Sequence, residues 1–284
     1  MSITKVKKIF AASLAAVSAL ALSACGVSDK NSAETTVKIG LVGAMYEDLW
    51  DPAKKILADE GINLEYVQFA DYTTPNSALS SGDIDLNAFQ HVAYLDSEVQ
   101  AQGYDIQPVG YTFIIPLNLY SEQITSVQEL KDGDKVAIPN DPTNGGRALK
   151  VLEAAGVLKL KADAGFSPTD KDIESFTKKI ELVPLAANTI QPSLPDVAAG
   201  FVNGNFALSA GLDPEKAVYQ DKQLSDEEYW NVIVAASESL KDPQKKALYG
   251  KVVKAFQSSQ TQEVFDTTFK GYFLPVAWDE DLLK

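Results

Sequence analysis

The chain has 284 residues with 39 acidic and 25 basic side chains, and its formal net charge at pH 7 is -14. A body this acidic is not expected to bind nucleic acid or anionic lipid through its surface. The single cysteine and single histidine exclude an internal disulfide, the common histidine-dependent triads and most zinc sites, and nothing in the sequence requires a metal or cofactor.

The first 25 residues have the pattern of an exported lipoprotein leader. Lysines within positions 5–8 form a positive segment, and Ile9 to Ala21 is an apolar or small-residue run too short to stay in a bilayer as a spanning helix. Leu22-Ser-Ala-Cys25 resembles the bacterial lipobox. The resemblance implies cleavage before Cys25 and a lipid such as palmitate on its thiol; the alternative is a simple cut after Ala24 that leaves a free thiol.

Residues 1–24 are therefore predicted to be a signal peptide and residues 25–36 a flexible tether. Gly26 to Thr36 is rich in Ser, Asn, Asp and Thr and poor in apolar side chains. Cleavage removes three lysines and no acid, so the mature chain is more acidic still. The folded part is predicted to begin near Val37.

From Val37 onward, β-rich runs alternate with amphipathic stretches, which is typical of an α/β chain. Gly61 and Gly103 are predicted to end two helices. The first βαβαβ lobe is predicted as strand Val37–Val42, a helix capped by Asp51 with Pro52 at its first position, strand Ile62–Phe69, helix Asn76–Ser80, strand Ile84–Ala88 and helix Gln90–Gln102.

A second lobe follows Val109 to Tyr120, which contains Pro116 and is predicted to be a connector rather than a central strand. Tyr229 to Ala235 is predicted to be the return connector. The other predictions are a capping box at Ser126–Glu129, strands Lys135–Pro139, Ile180–Pro184 and Ala198–Asn203, helices Thr143–Ala155 and Thr189–Leu194, and an amphipathic helix Asp242–Ser259.

Two connectors between two α/β lobes predict a hinged clamshell, with lobe 1 formed by residues 37–115 and 232–284 and lobe 2 by residues 116–231. A ligand cleft between such lobes draws residues from the carboxyl ends of strands in both halves. Several informative side chains follow predicted strands: Tyr72, Phe89, His91, Asn144, Arg147 and Asn203.

Arg147 is the only arginine in the chain, against 24 lysines. Its guanidinium matches a carboxylate bidentately, and it follows a helix start whose free N–H groups also favour an anion. The alternative is a solvated helix arginine. Asn203 and Asn231 are either turn residues or ligands for a polar group.

Tyr72, Phe89 and Tyr94 either wall an apolar pocket or belong to the core, and His91 either orients a ligand or caps a helix. Two acid pairs, Asp83 with Asp85 and Asp132 with Asp134, lie beside glycines and are interpreted as turns. Gly145-Gly146 lacks the lysine and hydroxyl residue of a phosphate loop, so a nucleotide site is not expected.

These residues belong to a wider pattern that resembles the NlpA family of lipoproteins, the methionine-binding subunits of ABC importers. The similarity runs from about Val37 to Phe269-Lys-Gly271. The segments that carry it are Asp71-Tyr72, Pro75-Asn76, Gly82-Asp-Ile-Asp85, Phe89-Gln-His91, Tyr94-Leu-Asp96, Val136-Ala-Ile-Pro-Asn-Asp-Pro-Thr-Asn144, Gly146-Arg-Ala-Leu149 and Asn203-Gly-Asn205.

The resemblance implies a two-lobed periplasmic-binding-protein fold of type II-like form, each lobe a mixed sheet flanked by helices, with methionine or a related amino acid or dipeptide in the cleft. It implies no enzymatic activity, a permease and its ATPase as partners, and attachment to the extracytoplasmic face of the cell membrane through a lipid alone. The residues that it places around the ligand are Tyr72, Phe89, His91, Tyr94, Asn144, Arg147, Asn203 and Asn231.

The chain departs from the family at Gly43-Ala-Met-Tyr-Glu-Asp-Leu-Trp50, where Tyr46, Glu47 and Trp50 either face the cleft or cover the lobe surface. Trp230 is also bulkier than the residue usual before the connector asparagine. Three other functions stay open: an enzyme with Glu47 as general base, a surface adhesin, and a receptor for another anion such as a sulfonate or phosphate ester.

Overall fold

The computed structural model describes residues 35–284. The predicted signal peptide, the lipidation residue Cys25 and most of the predicted tether lie outside the described residues. The tether was predicted to extend to Thr36, but the first strand already begins at Thr35 because Thr35 to Val42 pair in parallel with Ile62 to Phe69.

Strands and helices alternate through the described chain. In chain order the strands are β1 (Thr35–Val42), β2 (Ile62–Phe69), β3 (Leu86–His91), β4 (Ile106–Tyr111), β5 (Phe113–Ile114), β6 (Leu117–Tyr120), β7 (Lys135–Pro139), β8 (Leu158–Leu160), β9 (Ile173–Phe176), β10 (Glu181–Leu185), β11 (Ala199–Asn203), β12 (Asn231–Ala236) and β13 (Leu274–Pro275). The α-helices are α1 (Met45–Asp59), α2 (Pro75–Ser81), α3 (Val92–Gln102), α4 (Pro142–Ala154), α5 (Ala187–Ser193), α6 (Gly204–Ser209), α7 (Pro243–Phe256) and α8 (Ser259–Thr267).

The two larger sheets form the two lobes, and both sheets are mixed. The first sheet has the order β2-β1-β3-β12-β4, with β1 parallel to β2 and β3, and β12 antiparallel to β3 and β4. The second has the order β10-β7-β11-β6, with β7 parallel to β10 and β11, and β6 antiparallel to β11. The predicted two-lobed α/β fold with mixed sheets is confirmed.

Each sheet is covered by helices on both faces, so its inner strands are buried and mostly apolar, whereas the edge strands β2 and β10 are partly exposed. In lobe 1, helices α1, α7 and α8 pack on one face, around Trp50 and Phe256, whose ring centroids are 4.4 Å apart. Leu79 and Leu95 from α2 and α3 belong to the core on the other face. In lobe 2, α4 contacts β7, and α5 contacts β7 and β11. The carboxyl ends of β1, β3, β7 and β11 therefore provide the side chains that two lobes can share in a cleft.

Helix α1 begins seven residues earlier than predicted. Asp51 and Pro52 lie inside it rather than at its start, although a proline there removes one intrahelical hydrogen bond. The apolar side chains of the first two turns, Met45, Tyr46, Leu49 and Trp50, are all buried. Burial of this face outweighs the lost hydrogen bond, which the local proline signal did not reveal.

The predicted connectors contain true strands. Val109 to Tyr120 holds the end of β4 in the first sheet and all of β6 in the second, so within this segment the chain crosses to lobe 2 around Pro116. Tyr229 to Ala235 was also predicted to be a connector, but β12 lies between β3 and β4 in the first sheet. Asn231, at the predicted lobe boundary, pairs with His91 at the end of that sheet.

Two helix predictions also change. Gln90 and His91 were predicted to open a helix, but they complete β3, and α3 starts at Val92 with His91 as its N-cap. The single helix predicted from Asp242 to Ser259 is two helices, because Ser258 is the N-cap of α8. Within residues 35–284, none of the helices is both long and apolar enough to cross a membrane.

Candidate ligand-binding site

A small cavity lies between the carboxyl ends of strands from the two sheets. All eight residues proposed from the sequence line it: Tyr72, Phe89, His91, Tyr94, Asn144, Arg147, Asn203 and Asn231. Tyr46, which the sequence left open between the cleft and the lobe surface, also lines it. The structure adds six further lining residues: Gln90, Ile115, Pro116, Leu117, Gly204 and Asn205.

One wall of the cavity is aromatic. The ring centroids of Tyr72, Phe89 and Tyr94 lie 5.8–6.0 Å from one another. Phe206 from lobe 2 packs behind this wall, with its ring centroid 5.1 Å from that of Tyr72, and does not itself line the cavity. The sequence did not decide whether Tyr72, Phe89 and Tyr94 belong to the core or to a pocket wall. They belong to both, because they form a small, largely buried cluster with one side on the cavity. Such a wall suits an apolar or thioether side chain.

The Arg147 guanidinium is buried and held by a partner that sequence reasoning missed. Its Nε donates to Oδ2 of Asp221 at 2.8 Å, and its Nη2 lies 2.6 Å from the same oxygen. Nη2 also donates to the carbonyl of Ile115 at 3.1 Å, and the Tyr229 ring lies 4.2 Å beneath the guanidinium carbon. The Arg147 and Asp221 side chains are 3% and 0% exposed, so this is a fully buried ion pair.

This geometry changes how Arg147 can meet a ligand. Its Nε–Nη2 edge faces Asp221, so the bidentate grip expected from the sequence is not offered by that edge, and Nη1 with its two N–H groups is the part that remains. The helix start is also less open than expected. Asp141 is the N-cap of α4 and accepts from the Asn144 backbone at 2.8 Å. An anion at this site therefore meets Nη1 rather than the helix amides.

His91 both caps a helix and faces the cavity. Its Nδ1 accepts the Tyr94 backbone N–H at 3.1 Å, so a neutral ring carries its proton on Nε2, which lies 3.4 Å from Oδ1 of Asn144. Burial, aided by the nearby charge of Arg147, lowers the pKa of His91 to about 3. The ring is therefore neutral at physiological pH and can offer a ligand no positive charge.

Two of the site asparagines are hydrogen-bonded to each other within lobe 2, and a third is held loosely. Asn203 donates from Nδ2 to Oδ1 of Asn144 at 2.9 Å, and Asn144 donates to Asp141. The Asn203 Oδ1 is buried and has no hydrogen-bond partner among the described residues. Asn231 has only a long contact, 3.5 Å, to the Tyr229 carbonyl. An unpaired acceptor beside a loosely held amide is suited to a ligand N–H group.

Asn205, on α6 of lobe 2, bonds to lobe 1 through both ends of its amide. It accepts the Tyr72 hydroxyl proton at 2.5 Å and donates to the Val42 carbonyl at 2.9 Å. Gly43, which follows Val42, has a φ of +102°, and a Cβ there would lie 3.1 Å from Oγ of Ser209. Only glycine accepts this backbone without strain, so the turn lets α6 approach β1 closely.

Tyr46, Glu47 and Trp50, where the chain departs from the family pattern, lie in three different environments. Trp50 is fully buried in the lobe 1 core, and Tyr46 is buried with one edge on the cavity. Glu47 is exposed and accepts from Gln68 at 2.9 Å on the lobe surface. It does not line the cavity, so it cannot act there as a general base. Trp230 packs its edge against Tyr111, with centroids 5.5 Å apart.

The two acid pairs are turn residues, as predicted. Asp85 accepts the Lys38 backbone N–H, Asp132 accepts that of Lys179 and Asp134 that of Lys131. Among residues 35–284, no cluster of histidine, cysteine and acidic side chains is arranged to hold a metal ion.

Comparison with known proteins agrees with this geometry. The D-methionine-binding lipoprotein MetQ of Salmonella typhimurium is 39% identical over 269 residues, which cover 93% of this chain and 96% of that protein. A nutrient binding protein from Burkholderia cenocepacia, solved bound to methionine, has a TM-score of 0.78 and 39% identity, and the match covers 85% of this chain and all of that one. The substrate binding protein of a methionine transporter from Streptococcus pneumoniae has a TM-score of 0.79 at 32% identity, over 85% of this chain and 96% of that one. The family model of the NlpA lipoproteins matches residues 37–277, and the chain therefore belongs to the NlpA lipoprotein family.

Proposed function

We propose that this protein is the lipid-anchored receptor of an ABC importer, which encloses methionine or a closely related amino acid between its lobes and presents it to the permease and its ATPase. The observation that carries this proposal is one buried cavity that joins an aromatic wall to a guanidinium and an unpaired amide oxygen. The relatives named above, which bind methionine or serve a methionine transporter, support it.

The cavity suggests how the ligand lies. Its carboxylate accepts from Nη1 of Arg147, and its ammonium donates to Oδ1 of Asn203, with Asn231 close by. Its thioether side chain packs among Tyr72, Phe89 and Tyr94, since sulfur interacts favourably with aromatic rings.

The proposed work is a shift of population from open to closed lobes and involves no covalent chemistry. The ligand shifts the open–closed equilibrium by the difference between its binding free energies for the closed and the open form. Asn205 bonds Tyr72 and Val42 across the lobes, so it stabilises the closed arrangement. Lipid on Cys25 would keep the receptor at the extracytoplasmic face of the cell membrane beside its permease, with no other membrane contact.

Calorimetry on the mature chain tests this function, after unfolding and refolding to remove any ligand carried through purification. The panel contains both enantiomers of methionine, methionine dipeptides, the other amino acids, and sulfonates and phosphate esters. We expect methionine to bind more tightly than any other amino acid. Tightest binding to a sulfonate or phosphate ester would instead establish a receptor for another anion, and binding to none of the panel would refute the proposal.

Anchoring is tested separately by mass spectrometry of the chain extracted from membranes. A mass that corresponds to residues 25–284 with acyl chains is expected, and Cys25→Ala should release the protein from the membrane. A free thiol at Cys25 in membrane-extracted protein would contradict the anchor without affecting the ligand assignment.

A further inference from the structure

The Asp221 carboxylate contacts the Arg147 guanidinium, which is proposed to bind the ligand's carboxylate, but Asp221 does not itself line the cavity. Four donors fix its carboxylate: the Leu117 and Gln223 backbone N–H groups at 3.2 and 2.9 Å, and Nε and Nη2 of Arg147. Its own backbone N–H donates to Oδ1 of Asn118 at 2.9 Å. A carboxylate held from several directions cannot readily swing aside when a ligand arrives.

The charges around the cavity then balance without a ligand. Arg147 and Asp221 are opposite and touch, and the lowered pKa of His91 leaves that ring neutral. Other ionisable groups act on the rings around the cavity, and each is partly buried or exposed, so water screens it: Asp71, Glu98, Asp141, Lys150, Asp226 and Glu228. A ligand with no net charge leaves this balance unchanged, whereas a simple anion adds an uncompensated negative charge beside Asp221.

We propose that Asp221 is the built-in counter-ion of Arg147 and that it makes the cleft select zwitterions over monoanions of the same shape. The inference rests on the proposed function, because it names the charge class of the ligand for the same cavity. The pairing also explains why Arg147 can stay buried when no ligand is bound. Because Asp221 already neutralises the guanidinium, closure of an empty cleft does not bury an unpaired positive charge.

The test compares Asp221→Asn with Glu227→Gln, which removes the same charge from an exposed side chain in the same segment. Binding of methionine and of its des-amino analogue, methylthiobutanoate, is measured by calorimetry. A unit charge within several ångströms, at an effective dielectric constant of about 20, changes a binding constant by roughly tenfold or more. The preference for methionine over the analogue should therefore fall at least about tenfold in Asp221→Asn and stay unchanged in Glu227→Gln.

A second measurement needs no cognate ligand. Sodium acetate should raise the unfolding temperature of Asp221→Asn more than that of the wild type, at equal ionic strength set with sodium chloride, because a small carboxylate can replace the missing counter-ion. An unchanged methionine preference in Asp221→Asn would overturn the inference. If the wild type binds neither compound, the proposed function fails and the acetate response alone decides the role of Asp221, with no excess stabilisation overturning it.

If Asp221→Asn does not fold even in acetate, Arg147→Gln is compared with the double variant Arg147→Gln/Asp221→Asn. The single variant leaves Asp221 unpaired beside the incoming carboxylate, and the double variant does not. The binding constant of methylthiobutanoate should be at least about tenfold higher for the double variant than for the single variant. Equal affinities would overturn the inference, because they would mean that the Asp221 charge does not act on the ligand.

Discussion

Substitution of Arg147 by alanine tests the buried ion pair through stability as well as through binding. The change removes the only side-chain cation that contacts Asp221 among the described residues, and it leaves the 0% exposed carboxylate without a counter-charge. It also removes the surface that packs 4.2 Å from the Tyr229 ring. We therefore expect Arg147→Ala to lose both ligand affinity and free energy of unfolding.

The magnitude follows from the burial of both partners. Removal of one member of a buried ion pair costs about 3–5 kcal/mol, much of it the desolvation of the charge that stays behind. Arg147→Ala/Asp221→Asn leaves no orphan charge, so it should recover at least about half of this loss. The two changes are in contact and are therefore expected to be strongly non-additive.

Urea unfolding of ligand-free protein, followed by tryptophan fluorescence, measures these differences; ligand must be absent because it would stabilise the folded state by mass action. Lys159→Ala is the matched control, since it breaks an ion pair with Glu174 whose side chains are 67% and 50% exposed. Exposed pairs contribute little, so no measurable loss is expected there. An Arg147→Ala variant as stable as the wild type, or a double variant less stable than the single one, would refute the reasoning.

Three further predictions concern the hydrogen bonds of Asn205 between the lobes, the titration of His91, and the lobe 1 core. Asn205→Ala removes two hydrogen bonds between the lobes and should weaken ligand binding by about 1–3 kcal/mol in calorimetry; Gln123→Ala, which loses one bond within lobe 2, should not. The pKa of His91 is about 3 when folded and 6.5 when unfolded, so the unfolded state binds more protons between these values and stability falls as pH falls. Urea unfolding should show a loss of about 2 kcal/mol from pH 7 to pH 5 that His91→Gln abolishes, and an identical pH profile in the two proteins would contradict it. Trp50→Ala should lower stability by about 3–5 kcal/mol but leave the order of ligand preference unchanged, because the ring is in the lobe 1 core; a changed order would place it at the site.

Errors in the predicted elements share a physical cause. Pro52 and Asp51 carry a strong local signal for a helix start, yet the buried side chains from Met45 to Trp50 extend the helix past them. Local capping contributes about 1 kcal/mol, whereas each large buried side chain contributes about 1.5–3 kcal/mol. His91 shows the opposite case, in which strand pairing with Asn231 keeps the histidine out of the helix that it caps.

The amino-acid sequence alone indicates the α/β pattern and predicts the lipoprotein leader, because periodicity and leader composition are local properties. Strand-end positions single out six of the eight predicted site residues, and the family resemblance is needed to place all eight around a ligand. Which acidic residue pairs with the single arginine depends on the tertiary structure. Asp221 is 74 positions from Arg147 and is flanked by an ordinary polar segment. A buried charge requires a counter-charge, but its choice among many carboxylates depends on which one the fold brings within hydrogen-bond distance. The hydrogen bonds of Asn205 between the lobes also depend on the fold, since its partners Tyr72 and Val42 lie 133 and 163 positions away and belong to the other lobe.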